Sequence, residues 1–138
     1  MRHTEVLIVG GGPAGAACAW RLRQHGVECI VLDRQSFPRA KLCAGWITPR
    51  VVRDLDLDPD EYPGGFTTFA GLDISIRGVR FPLPGRQYAI RRYEFDHWLV
   101  RRAGVPLYQH RVTNIQQTAG GHVVDVAFSA KYLVGARG

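Results

Sequence analysis

The segment Val6-Leu7-Ile8-Val9-Gly10-Gly11-Gly12-Pro13-Ala14-Gly15 sets the architecture expected for this chain. Its short apolar run predicts a buried strand, and its glycines predict a tight turn into a helix. A second apolar run, 29–32, ends at Asp33, so strand, turn, helix, strand and acid follow one another within about thirty residues. This order is typical of a βαβ unit that binds a dinucleotide; a βαβ unit without a ligand is the alternative.

Each residue type in the turn suits its position for a different physical reason. Gly10 permits a tight turn out of the strand, Gly12 lets the backbone approach a pyrophosphate, and Gly15 lets the helix pack closely on the sheet. Pro13 suits a first helical turn because its missing N–H has no intrahelical acceptor there. The free N–H groups at the start of the helix favour an anion. Asp33 is expected to accept hydrogen bonds from the hydroxyls of a ribose.

Length and composition indicate one soluble globular domain. The chain has 138 residues, of which 46% are hydrophobic and 22% charged. It contains no apolar run long enough to span a membrane, and its first residues do not form a signal peptide, so the cytoplasm is the expected location. The three cysteines cannot complete a disulfide framework and are expected to be free thiols. The histidine spacing predicts no metal site.

A net charge of +6 raises the possibility of a nucleic-acid partner. The arginines are, however, spread along the chain, and it carries no recognition-helix or aromatic RNA-binding motif. An anionic cofactor explains the excess of cations more simply, and no nucleic-acid partner is expected.

The rest of the chain alternates between helical and strand patterns. The predicted helices are 51–57 and 93–103, and the predicted strands after Asp33 are 66–69, 72–76, 79–83, 105–108, 112–118, 123–128 and 132–134. The expected fold class is α/β: a parallel sheet of 6–9, 29–32, 105–108 and 132–134, an antiparallel hairpin as a crossover, and a short β insertion with a turn at Pro84-Gly85. The strands of the insertion are expected to lack partners and to leave an open apolar edge.

Three further segments carry a resemblance to a known family: FPRAKLCAGWITPR (37–50), IRRYEFDHWL (90–99) and YLVGARG (132–138). With the glycine turn, they make the chain similar to FAD-dependent oxidoreductases of the geranylgeranyl reductase family, relatives of flavin hydroxylases and flavin halogenases. The resemblance implies a Rossmann-type FAD-binding domain over residues 1–138, with 62–90 as a β insertion that belongs to the substrate side. It also implies FAD as the cofactor.

The turn and the resemblance together nominate a set of cofactor-binding residues. They are Gly10, Gly12, Pro13, Ala14, Gly15, Asp33, Arg34, Arg39, Lys41, Cys43, Gly45 and Arg92. The resemblance places Arg39 near the phosphates or the isoalloxazine edge, and Cys43 is either a reactive thiol or a packed small side chain. Asp96 is expected to stabilise the first turn of its helix rather than to act as an acid. No catalytic residue is assigned.

The chain also departs from the family pattern. Arg137 stands where the family has a small residue, and no Gly-Asp pair, the family's later motif, occurs. We therefore expect an incomplete domain: the N-terminal portion of a longer flavoenzyme, or a truncated relative that pairs with another chain.

The resemblance implies hydride transfer from reduced flavin to a carbon–carbon double bond of a small hydrophobic substrate such as a prenyl chain. NAD(P)H is a candidate electron donor that the sequence does not decide, and a prenyl substrate would imply contact with a membrane surface. One alternative is an FAD-dependent monooxygenase that hydroxylates an aromatic substrate, and another is a nucleotide-binding fragment without activity. NAD(P) as the main ligand is a third: Asp33 disfavours the 2′-phosphate of NADP, whereas neighbouring Arg34 favours it.

Overall fold

A computed structural model describes residues 1–137, with Gly138 outside it, and divides the chain into two compact units. One unit comprises Met1–Arg39 and the chain from Asp96 onward, and the other is Ala40–Phe95. The elements in chain order are β1 (Arg2–Val9), α1 (Pro13–Gln24), β2 (Cys29–Asp33), β3 (Trp46–Ile47), α2 (Pro49–Asp54), β4 (Thr67–Ile76), β5 (Val79–Ala89), α3 (Arg92–Ala103), β6 (Leu107–Gln109), β7 (Ile115–Thr118), β8 (Gly121–Val124) and β9 (Phe128–Gly135).

The first unit is built on a six-stranded sheet in the order β6-β2-β1-β9-β8-β7. β1 pairs in parallel with β2 and β9, and β2 pairs in parallel with β6. The predicted parallel sheet is therefore confirmed. The crossover hairpin, β7 and β8, joins the same sheet: β8 pairs with β9 in antiparallel fashion, and β7 pairs with β8.

Both faces of β1 are covered, which explains its continuous apolar run. Val6 and Ile8 point to one face and pack with Ala19 of α1, in a cluster that Cys29 and Val31 of β2 continue. Leu7 points to the other face and belongs to a second cluster. Residues 7 and 8 are 0% exposed, and burying a side chain of this size contributes about 1.5–3 kcal/mol.

The second unit carries a three-stranded antiparallel sheet in the order β3-β5-β4. Four aromatic rings of this unit contact one another edge to face: Tyr62, Phe66, Tyr88 and Phe95. The strands of the insertion were expected to lack partners, which is wrong, because β4 and β5 pair with each other and β5 pairs with β3.

The insertion has two long strands rather than the three short ones predicted, and the turn predicted at Pro84-Gly85 does not exist. β5 continues through these residues because a register shift between Phe69 and Gly71 absorbs the irregularity as a bulge. Gly71 is needed there, since a Cβ would lie 2.7 Å from the Leu83 carbonyl oxygen.

The hairpin of β4 and β5 exposes apolar side chains on one face. Ile74 pairs with Phe81 and Ile76 with Val79 across the two strands. Their exposed fractions are 41%, 51%, 59% and 55%, respectively.

A helix that could span a membrane is absent from residues 1–137.

Other predicted boundaries shift. The strand predicted over 123–128 is interrupted, because Asp125 and Val126 adopt left-handed backbone angles (φ 48° and 57°). The Ala127 N–H closes this turn on the Val124 carbonyl oxygen at 3.0 Å. The helix predicted over 51–57 is Pro49–Asp54, with proline in its first turn.

Candidate cofactor-binding site

The turn after β1 leaves no room for side chains at two of its glycines. Gly10 has φ 114°, and a Cβ there would lie 2.5 Å from the Ala136 carbonyl oxygen. A Cβ on Gly15 would lie 1.8 Å from the carbonyl oxygen of Gly10. Both distances are shorter than any van der Waals contact, so the end of β1, the start of α1 and the end of β9 meet at this point only because these residues are glycine.

Gly12 differs, because a Cβ there would meet only the far end of a flexible side chain and no backbone atom. It is the N-cap residue of α1, with φ −68° and ψ −175°. The nearest heavy atom to a Cβ built there is Arg39 Nη2, at 3.4 Å. The first turn of a helix leaves N–H groups without intrahelical acceptors, here those of Ala14 and Gly15, while Pro13 at the first position has no N–H. The turn therefore presents bare backbone and unpaired donors, as an anion site requires.

Asp33 is bound into the glycine turn by its own carboxylate. Gly11 donates its N–H to Oδ2 at 2.8 Å, and Gln35 donates its N–H to Oδ1 at 2.9 Å. The residue is only 8% exposed. Since each carboxylate oxygen has two lone pairs, one on each remains for further donors. The end of β2 is held in turn by the His110 N–H, which donates to the Asp33 carbonyl oxygen at 2.7 Å.

Arg39 lies between Asp33 and Asp96. Its Nη2 is 3.7 Å from Asp33 Oδ2 and 4.0 Å from Asp96 Oδ2, and its side chain is 11% exposed. The guanidinium lies over the ring of Phe37, 4.9 Å from the centroid. Its buried Nε has no hydrogen-bond partner within residues 1–137.

Asp96 does not have the predicted role. It lies in the second turn of α3, since the helix begins at Arg92, and it is 0% exposed. Asp96 is therefore not the first-turn acid that was expected, since Glu94 is the acidic residue in the first turn. Asp96 lies near Arg39, which is distant in the sequence, and no local sequence pattern predicts this proximity.

The remaining candidates fall into both units. Arg34 is exposed directly after Asp33 in the first unit. In the second unit, Gly45 has φ 75°, and a Cβ there would lie 1.9 Å from the Ile90 carbonyl oxygen. The Cys43 sulfur accepts the Gly45 N–H at 3.4 Å. Lys41 is exposed and Arg92 begins α3, so the roles of these four residues toward a cofactor stay predictions.

Two residues at the site were missed from the sequence: Gly11, which lies in the turn, and Phe37, which follows β2. Gly11 donates the hydrogen bond that orients Asp33, and a Cβ on it would lie 3.0 Å from the Phe37 ring. Gly11 is the middle glycine of the run, a position that the motif leaves unassigned, and its role depends on where Asp33 and Phe37 meet in space. Phe37 is visible in sequence only as a neighbour of Arg39.

A second polar cluster supports the connection that follows β6. The Asp125 carboxylate accepts a hydrogen bond from the Thr113 hydroxyl at 2.6 Å and from the Asn114 N–H at 2.7 Å. His110 Nε2 lies 2.7 Å from its Oδ2. Hydrogen bonding from Thr113 and His110 holds the pKa of Asp125 well below its usual range. These contacts hold the turn before β9.

The geometry of the first unit fits a dinucleotide. The backbone at Gly12 carries no side chain and faces only the flexible end of Arg39, N–H groups without intrahelical acceptors lie beside it, and Asp33 has acceptor capacity at the end of the neighbouring strand. The unpartnered Nε of Arg39 is a further donor at the same place. FAD carries both a pyrophosphate and a ribose, and these are the groups that such a set of donors and acceptors would hold.

Comparison with known proteins agrees with this geometry. Residues 3–56 match the family described as FAD binding domain. The chain is 35% identical to geranylgeranyl diphosphate reductase of Rhodobacter capsulatus over 101 residues, which is 72% of this chain and 25% of the relative. It is 48% identical to menaquinone reductase of Mycolicibacterium smegmatis over 103 residues, 68% of this chain and 25% of the relative.

The fold has solved counterparts as well. A flavin-dependent brominase superposes with a TM-score of 0.78 and 27% identity, covering 99% of this chain and 38% of the brominase. The chain spans about a quarter of the length of the two reductases. The resemblance read from the sequence is confirmed, and so is the FAD-binding α/β fold.

Proposed function

Because the chain carries an FAD-binding domain related to geranylgeranyl reductases and flavin-dependent halogenases, we propose that it serves a flavoenzyme that reduces carbon–carbon double bonds. The observation that carries the cofactor assignment is the joining of the glycine turn to Asp33 through the Gly11 N–H, 2.8 Å from Oδ2. This bond joins the carboxylate that we propose as the ribose acceptor to the turn that we propose as the anion site. The match of residues 3–56 to an FAD-binding domain supports the same assignment.

Different residues of the first unit would bind different groups of the cofactor. The N–H groups of Ala14 and Gly15 would donate to the pyrophosphate, which Gly12 lets approach. Asp33 would accept from the ribose hydroxyls, and Arg39 would supply a positive charge at the phosphates. In the second unit, Lys41, Cys43, Gly45 and Arg92 are proposed to contact the flavin half.

Bound FAD would supply the redox chemistry, delivering a hydride to one carbon of the double bond while a proton adds to the other. The two electrons would come from NAD(P)H. The named substrates of the related reductases are geranylgeranyl diphosphate and menaquinone. Both compounds carry isoprenoid chains, which supports a prenyl substrate. Such chains reside in membranes, so we place the enzyme in the cytoplasm with access to a membrane surface.

Binding of FAD, ADP and NAD to the purified protein by calorimetry tests the cofactor. We expect FAD to bind more tightly than ADP, because the flavin half adds contacts, and NAD to bind more weakly than FAD. Equal affinity for FAD and ADP would indicate that only the adenosine half is recognised. This result would favour the alternative, a nucleotide-binding fragment without activity. Tighter binding of NAD than FAD would refute the flavoprotein assignment.

A second candidate is flavin-dependent oxygen chemistry. The superposition on a flavin-dependent brominase over 99% of this chain favours it. An anaerobic assay distinguishes the two reactions. Photoreduced protein is mixed with geranylgeranyl diphosphate or menaquinone in the absence of oxygen, and the absorbance of the flavin is followed. Anaerobic reoxidation with two hydrogens added to a double bond of the prenyl chain supports the reductase, whereas formation of the quinol of menaquinone alone does not. Reoxidation only by oxygen, with hydroxylation or halogenation of an aromatic substrate, supports the second candidate.

A further inference from the structure

The Arg39 guanidinium is shared between two carboxylates without being bonded to either. Its Nη2 stands 3.7 Å from Asp33 Oδ2 and 4.0 Å from Asp96 Oδ2. Charge-assisted hydrogen bonds between such groups are about 2.7–2.9 Å long. The guanidinium is therefore about one ångström outside bonding distance of each acid. Its Nε is also without a partner within residues 1–137.

The position of Asp96 explains why the guanidinium does not close on Asp33. Asp96 is 0% exposed, and its charge is screened little by solvent there. Its carboxylate is a second negative charge 4.0 Å from Nη2, so it attracts Arg39 in competition with Asp33. Without that pull, the nearest acceptor for Nη2 would be Asp33 Oδ2, the oxygen that already accepts the Gly11 N–H.

We infer that Asp96 is a positioning residue that holds Arg39 away from Asp33. The inference rests on the proposed binding of FAD. Held in this way, Arg39 Nη2 stays beside the backbone of Gly12, 3.4 Å from the place of a Cβ, where it can donate to a phosphate. Asp33 keeps its remaining lone pairs for the ribose hydroxyls. Loss of Asp96 would let Arg39 bond to Asp33 and compete with the ribose.

Ribose recognition can be read separately from overall affinity by comparing ADP with 2′,3′-dideoxy-ADP. The two nucleotides share the adenine and the diphosphate and differ only in the hydroxyls. In the wild-type protein we expect ADP to bind at least about tenfold more tightly, since hydrogen bonds to a charged acceptor are lost in the analogue. In Asp96→Asn we expect this ratio to fall toward one. Titration calorimetry of the purified protein gives both affinities.

The double variant Arg39→Met/Asp96→Asn distinguishes a positioning role of Asp96 from a purely structural one. A purely structural role of Asp96 would not let the affinity ratio recover when Arg39 is also removed. Removing the guanidinium frees Asp33 again, so the ratio should recover toward the wild-type value even though both nucleotides bind more weakly. Arg39→Met alone should keep the ratio and weaken both nucleotides. Glu94→Gln is the matched control, because it removes a partly exposed acid from the same helix and should change neither affinity.

The outcomes separate the two proposals. If the wild-type protein binds neither FAD nor ADP, the proposed function fails and this inference fails with it. If it binds FAD but has a ratio near one, or if Asp96→Asn leaves the ratio unchanged, the role of Asp96 is wrong and the cofactor assignment stands. A double variant whose ratio stays as low as that of Asp96→Asn would also overturn it. Should Asp96→Asn not fold, a lowered ratio in Arg39→Met alone would refute the inference.

Discussion

Gly12→Ala should separate binding of the dinucleotide from stability of the fold. The backbone angles of Gly12, φ −68° and ψ −175°, are ordinary for alanine. The added Cβ would meet Arg39 Nη2 at 3.4 Å, the far end of a flexible side chain. The folded protein therefore tolerates the methyl group, which occupies the space that we assign to the pyrophosphate.

The two effects have different sizes and opposite signs. Replacing glycine by alanine at a compatible position stabilises a protein by about 0.4–1 kcal/mol, because the unfolded chain loses freedom. Losing one hydrogen bond to a charged phosphate costs about 1.5–3 kcal/mol of binding energy, which is about 10- to 150-fold in affinity. We expect a variant that is at least as stable as the wild type and that binds FAD and ADP more weakly by this factor.

Urea denaturation gives the free energy of unfolding, and titration calorimetry gives the affinities. Gly120→Ala is the matched control, since no heavy atom lies within 4 Å of a Cβ at that position and it lies in the turn between β7 and β8. The control should bind FAD as the wild type does. Unchanged FAD affinity in a folded Gly12→Ala protein would refute the placement of the pyrophosphate at Gly12.

Three further predictions concern stability and thiol chemistry. Gly15→Ala should lose stability by about 1–3 kcal/mol or more in urea denaturation, because its Cβ would lie 1.8 Å from the Gly10 carbonyl oxygen; a stability equal to that of Gly12→Ala would contradict the packing argument. Asp125 has a pKa held below its usual range by hydrogen bonds in the folded protein, so its contribution is present above pH about 4 and lost as the pH falls further. Asp125→Asn should flatten the dependence of stability on pH in that acid range, as thermal unfolding from pH about 2 to 6 would reveal, and an unchanged slope would count against the cluster. Burial raises the pKa of the Cys29 thiol, so iodoacetamide followed by peptide mass spectrometry should label exposed Cys43 first, and equal labelling of the two in native protein would be inconsistent with this burial.

The parallel sheet was predictable because its signals are local. A four-residue apolar run such as Val6–Val9, followed at once by a glycine turn, is typical of a strand covered on both faces. The hairpin of β4 and β5 was harder. Pro84 and Gly85 carry a strong turn signal, yet the register shift opposite Gly71 lets the strand continue. A bulge depends on the partner strand, which local sequence patterns do not identify.

The site likewise has one part that a local motif predicts and another that depends on the folded chain. Gly10, Gly15 and Asp33 follow from a motif whose spacing is short and whose geometry is tight. The pairing of Arg39 with Asp96 joins residues that are 57 positions apart (96 minus 39), and neither residue lies in a periodic pattern that indicates the other. An acid in a helix reads as a solvated side chain unless its burial is known, and burial is a property of the folded chain.

The hydrogen bond from Gly11 to Asp33 changes how experiments on the acid must be interpreted. Asp33→Ala would remove the ribose acceptor, but it would also leave the buried Gly11 N–H without its acceptor at 2.8 Å and remove the acceptor of the Gln35 N–H. An unpaired buried donor costs about 1–3 kcal/mol, which is as large as the ribose contacts themselves. Weaker FAD binding by that variant would thus fit either a lost ribose contact or a distorted glycine turn. Changing the ligand avoids this ambiguity, because a dideoxy nucleotide removes the hydroxyls and leaves the turn and its hydrogen bonds intact.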